Sequence, residues 1–92
     1  MIIFPQTNKV SITNYFSYMF SNCYKFNADL SEWDVSSGKY FQYMFYGCKS
    51  FDADLSKWNI LKAETYDDFA TNSLLEKYLN RIPERFKSDY LK

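Results

Sequence analysis

Cys23 and Cys48 are the only thiols in this 92-residue chain, and it has no histidine at all. Without imidazole there is no Ser-His or Cys-His nucleophile pair, no usual general base near neutral pH, and no commonest metal ligand. Two thiols alone are too few for a structural zinc site. A disulfide or a reactive thiol is one use for them; a pair of small buried side chains is the other, and the second suits a residue type that is so often buried. Carboxylates could still do acid–base work, but they are scattered and no pair stands out. Asp29 and Asp54 recur at one spacing and could hold a cation between them, although an Asp that accepts backbone N–H bonds in a turn explains them as well. The expectation is a non-enzymatic protein with no cofactor and no metal.

The elements that must position these residues come from an internal repeat. Laid on itself with an offset of 25, YFSYMFSNCYKFNADLSEWDVSSGK (15–39) matches YFQYMFYGCKSFDADLSKWNILKAE (40–64) at 12 of 25 positions. The identities include Tyr15/Tyr40, Phe16/Phe41, Met19/Met44, Cys23/Cys48, Asp29/Asp54 and Trp33/Trp58. Residues 1–14 read as a partial repeat or N-terminal cap, 15–64 as two full units, and 65–92 as a degenerate unit followed by a helical C-terminal cap, all in one domain.

Spacing within the unit changes character. Phe16, Met19 and Phe20 stand at i, i+3 and i+4, which predicts a short helix. Trp33 and Val35 alternate with Glu32 and Asp34, which predicts a short strand. One helix and one parallel strand per 25 residues predicts an α/β repeat fold, a short leucine-rich-repeat-like solenoid. In the tail, Leu74/Leu75, Tyr78/Leu79 and Ile82 have helical spacing, with Ser73 as N-cap and Glu76 three residues on. Pro83 ends that helix and can begin another.

Composition narrows the function. Hydrophobic residues make up 47% and aromatics 22%, too apolar for a disordered chain. Eleven basic and eleven acidic residues cancel, so the charge that drives phosphate-backbone binding is missing and nucleic acid is not an expected partner. The start, Met1-Ile2-Ile3-Phe4-Pro5, has no basic region before its apolar residues, so it does not read as a secretory signal. No stretch is long enough to cross a bilayer, so membrane insertion is not expected either.

The strings MFSNCYKFNADLSEWDVS and MFYGCKSFDADLSKWNI resemble the repeat of the BspA-like leucine-rich-repeat family, a 25–26-residue bacterial surface-protein unit also known from mycoplasma-type lipoproteins of unknown function. The resemblance covers residues 10–64 and implies a solenoid with adhesion or partner binding as its role, often at a cell surface. It implies no catalytic activity, and it leaves the compartment of this chain open.

Identically repeated Phe, Met and Trp read as core. Positions that differ between units then carry the functional expectation. Glu32, Asp34, Lys57 and Asn59 would line an exposed strand face, flanked by Tyr24 and Tyr46, where a protein or cell-surface ligand could bind. The same residues would equally make an ordinary solvated face. A second reading is structural: two full repeats are few, and end-to-end pairing of two copies would bury the exposed N-terminal repeat, giving a homo-oligomer.

Overall fold

A computed structural model describes residues 13–91. Where the spacing of Phe16, Met19 and Phe20 predicts a helix, the chain instead makes consecutive turns. The carbonyls of Phe16, Tyr18 and Phe20 accept the N–H groups three residues on, at 3.3, 3.1 and 3.0 Å. Tyr18 (φ 60°) and Asn22 (φ 61°) are left-handed, the third residues of turns 16–19 and 20–23. That is the position where a type II turn needs positive φ. A left-handed residue cannot continue a right-handed helix, so the helix is excluded at its second turn. The same pair recurs 25 residues on at Tyr43 (58°) and Gly47 (74°), and again at Asp68 (54°) and Asn72 (61°).

These turn units stack. The N–H groups of Phe16, Tyr18, Phe20 and Asn22 donate to the carbonyls of Tyr40, Gln42, Met44 and Tyr46 at 2.6–3.0 Å. Those of Phe41, Tyr43, Phe45 and Gly47 donate in turn to Thr65, Asp67, Phe69 and Thr71 at 2.8–3.0 Å. These eight donors point to the following unit, while the N–H groups of Tyr40 and Thr65 point back to Asn14 and Lys39, both at 3.1 Å. Between described residues, parallel pairing is limited to the isolated bridges Tyr15–Tyr40 and Tyr40–Thr65.

The strand expected around Trp33–Val35 is not formed, nor is its counterpart around Trp58–Ile60. Asp34 Oδ1 accepts the Ser36 N–H at 3.0 Å, and Asn59 Oδ1 accepts the Leu61 N–H at 3.1 Å. The backbone closes locally there, as Asp and Asn side chains favour. The α/β leucine-rich-repeat-like solenoid is therefore corrected: among the described residues there is no strand, no sheet and no α-helix. Helical backbone is confined to three short 3-10 helices, Leu74–Lys77, Leu79–Arg81 and Glu84–Tyr90. The radius of gyration, 11.8 Å, is close to the ~12 Å of a compact domain of this size.

The apolar pattern finds its place even though the element types differ. Phe16, Phe20, Phe41, Met44, Phe45 and Phe51 are all buried. Like residues stack between units: Phe16 on Phe41 at 5.2 Å, Phe20 on Phe45 at 5.5 Å, Phe26 on Phe51 at 5.4 Å. Trp58 is buried against Phe41, Phe45 and Phe69, and its Nε1 donates to the Leu30 carbonyl of the preceding unit at 2.9 Å. Each such buried side chain contributes roughly 1.5–3 kcal/mol from water exclusion.

The third unit ends the stack by exchanging sizes. Ala70 stands where the earlier units have Phe20 and Phe45, and Phe69 stands where they have Met19 and Met44. Phe69 turns edge-on to Phe45 at 5.3 Å, and Phe86 of the third 3-10 helix closes over Tyr66 at 4.6 Å. Ser73 does stand at the N-cap position of the first 3-10 helix, but its side chain caps nothing; its hydroxyl donates backward to the Ala70 carbonyl at 2.5 Å. Glu76 accepts the Asn72 N–H at 2.9 Å instead of completing a capping box.

Candidate functional site

The stack of turns displays tyrosine on its outside. Tyr15 lies on Tyr40 at 5.0 Å and 22°, and Tyr18 on Tyr43 at 4.9 Å and 5°. Tyr46 leans on Tyr43 at 5.3 Å, and its hydroxyl accepts a hydrogen bond from Asn72 Nδ2 at 3.2 Å. Tyr15 and Tyr18 remain 64% and 59% exposed, unusual for rings held in a defined stack. The backbone sets this geometry, because the left-handed turn at Tyr18 and Tyr43 points both rings out at one interval. Positive φ is costly for a bulky residue, by about 1–3 kcal/mol, and strain of this kind gathers at functional positions.

The ladder terminates at Asp68, which takes the place of a third tyrosine. The Asp68 carboxylate beside it, through its attraction for the phenol proton and its negative charge, raises the Tyr43 phenol above its ordinary range. Thr71 also donates to Asp68 at 2.9 Å and shares a hydrogen bond with the Tyr90 hydroxyl at 3.0 Å. Tyr90 in turn accepts the Ala70 N–H at 2.9 Å. A polar chain thus runs from the buried Ala70 amide through Tyr90 and Thr71 to Asp68, beside Tyr43.

The six residues singled out in the sequence are not gathered on one strand face. Asp34 and Asn59 close local turns, while Glu32 and Lys57 are exposed. The ion pairs among the described residues are Arg81–Asp52 and Lys87–Glu84. Tyr24 is exposed. Only Tyr46 joins the tyrosine surface. Tyr15, Tyr18, Tyr40 and Tyr43 were legible as a repeat, but identical repetition reads as core, and that hides an exposed ladder. The signal that separates them is the phenolic hydroxyl, since the buried aromatic columns of the two full units carry Phe or Trp instead.

Nucleophilic chemistry has weak support. Cys23 and Cys48 are free thiols. Cys48 is buried and donates to the Phe20 carbonyl at 2.9 Å, and burial pushes its thiol up to about 11. Burial raises Cys23 as well. Thiolates are the reactive form, so both are poor nucleophiles near neutrality.

The repeated aspartates form turns. Asp29 accepts the Ser31 N–H at 2.9 Å and Asp54 the Ser56 N–H at 3.0 Å, and these bonds lower both carboxyls below the ordinary range. They line an open groove of about 310 Å³ with Asn27 and Asp52. Among the described residues no group of three or more His, Cys, Asp or Glu side chains is arranged to hold a metal ion. No helix among them is long and apolar enough to cross a membrane.

No curated protein and no solved structure matches the chain. A family model does, over residues 6–81, which takes in both full units, their tyrosine ladder and the first two turns of the cap. With most of its length covered, the chain belongs to the family described as Mycoplasma protein of unknown function, DUF285.

Proposed function

We propose that this protein is a non-enzymatic binding module for another protein or a surface ligand, and that the tyrosine ladder is its contact surface. The exposed, stacked rings of Tyr15, Tyr18, Tyr40 and Tyr43 carry this reading. Tyrosine provides large contact area with few rotors, so ordering it at an interface costs little entropy. Here that cost is already met, because the rings are held by their stacking and by left-handed turns. The likeness of the repeat strings to BspA-like surface repeats agrees with an adhesive role.

End-to-end pairing of two copies ranks behind it. The turn N–H groups from Phe16 to Asn22 and from Phe41 to Gly47 point toward the following unit, whereas those of Tyr40 and Thr65 donate back to Asn14 and Lys39. Head-to-tail pairing would have to displace Tyr90 and Glu76 from the N–H groups of Ala70 and Asn72.

Affinity capture from surface and cytosolic extracts tests the reading. A partner held by the wild type and lost by a folded Tyr18→Ala/Tyr43→Ala variant supports it. A partner lost instead by Glu32→Ala/Lys57→Ala would move the contact surface, and capture indifferent to both would sink the proposal.

A further inference from the structure

Cys23 and Cys48 hold the same position in the two stacked full units, 25 residues apart. The contact between the units runs past them on both sides. Three residues before the pair, Phe20 stacks on Phe45 at 5.5 Å; three residues after it, Phe26 stacks on Phe51 at 5.4 Å. Immediately beside it, the Asn22 N–H donates to the Tyr46 carbonyl at 2.6 Å. Backbones joined by such bonds lie about 4.8 Å apart. A disulfide spans Cα atoms about 4.4–6.8 Å apart, so the register sets the two cysteines within its range.

The two sulfurs are placed unequally. Cys48 is buried, and its thiol donates across the unit boundary to the Phe20 carbonyl at 2.9 Å. The same carbonyl accepts the Cys23 N–H at 3.0 Å. The Cys48 sulfur and the Cys23 amide therefore converge on one oxygen, which brings that sulfur against the Cys23 backbone. Burial raises the Cys48 thiol to about 11; the Cys23 N–H works against this, and the Cys23 thiol adds to it. The last two effects act only between neighbours. Cys23 itself is half-buried, and its thiol turns to the Ser21 carbonyl at 3.9 Å. A contact that long holds the side chain weakly and leaves a χ1 rotamer nearer Cys48 within reach.

The geometry points to a covalent site: Cys23 and Cys48 close into a disulfide that joins the two full units when the protein meets a peroxide. The Cys23 thiolate attacks the peroxide O–O bond, giving a sulfenic acid and releasing one water. The Cys48 thiolate then attacks the Cys23 sulfur, the S–S bond forms, and the sulfenic oxygen leaves as a second water. In all, two thiols give up two electrons and two protons to one peroxide. Cys23 leads because it keeps contact with solvent. Cys48 follows because its neighbour is already in place, and a thiolate of high pKa is a strong nucleophile once formed. Closure is slow near neutrality and quickens as pH rises. The site stands apart from the binding reading, since neither thiol belongs to the tyrosine ladder.

The test treats the full native chain with hydrogen peroxide, then blocks remaining thiols with N-ethylmaleimide in denaturant and reads the intact mass. A monomer lighter by two hydrogens and carrying no maleimide is expected. Digestion without reduction should yield one linked pair of peptides, bearing Cys23 and Cys48, and dithiothreitol should release it. The rate should rise between about pH 7 and pH 9. The oxidised chain should unfold at a higher urea concentration than the reduced one, because a link across 25 residues restricts the unfolded chain. In Cys48→Ala, dimedone should trap Cys23 as its sulfenic acid; the wild-type arm decides the matter even where that variant is less stable. Dimers linked through Cys23, Cys23 carried on to sulfinic acid beside a free Cys48, or a link that forms only in denaturant would each overturn the proposal. So would a lower urea midpoint for the oxidised chain.

Discussion

The Tyr90 hydroxyl stands 2.9 Å from the Ala70 amide nitrogen and accepts the N–H that a further unit would have received on a backbone carbonyl. Ala70 is fully buried, so the donor has no access to water if this acceptor is taken away. Tyr90→Phe should therefore cost about 1–3 kcal/mol, the penalty of an unsatisfied buried N–H. Chemical denaturation reads the loss, and amide exchange at Ala70 should quicken beyond the global change. An unaltered midpoint would show that the hydroxyl is not the cap.

Trp58 joins two units through both packing and its hydrogen bond to the Leu30 carbonyl. Trp58→Ala should cost about 3–5 kcal/mol, enough in a domain this small to abolish cooperative unfolding. A thermal scan of the variant with a wild-type melting temperature would remove Trp58 from the core.

Gly47 sits at φ 74°, and a Cβ there would collide with the Asn22 side chain. Gly47→Ala combines left-handed strain with this contact and should destabilise by about 1–2 kcal/mol. The comparison with Asn22→Gly, which needs no such contact and relaxes the same kind of turn, isolates the backbone contribution. Equal stability of the alanine variant would count against the left-handed turn.

Cys48 should resist alkylation in the native protein. With its thiol raised to about 11, the thiolate fraction at pH 8 is very small, and burial blocks access as well. Iodoacetamide followed by mass spectrometry should label Cys23 first and Cys48 only on unfolding. Rapid native labelling of Cys48 would contradict its buried position.

Acid should weaken the fold through Asp29 and Asp54. Turn hydrogen bonds hold both carboxyls below their ordinary value of 3.8. A depressed folded pKa means stability present above the unfolded value and lost as pH falls through the folded one. The melting temperature should therefore decline below about pH 4, and Asp29→Asn/Asp54→Asn should flatten that slope. Both side chains are exposed, so the effect is small. A slope unchanged in the double variant would assign the acid sensitivity elsewhere.

The 25-residue period, and the burial of Phe16, Phe41, Phe45 and Trp58, were determined by the sequence alone. Apolar residues that recur at one interval must share a core whatever backbone carries them. Local conformation was not legible in the same way. A spacing of i, i+3, i+4 is met by a helix and equally by two successive turns, and only the left-handed backbone at Tyr18 and Asn22 distinguishes them. Alternation around Trp33 suggests a strand, yet Asp34 bonds its own backbone two residues on and closes a turn there. Tertiary structure alone decided the site. Whether a repeated ring is core or surface depends on which side of the turn it leaves, so Phe16 is buried while Tyr15 and Tyr18, its near neighbours in the chain, stack in the open.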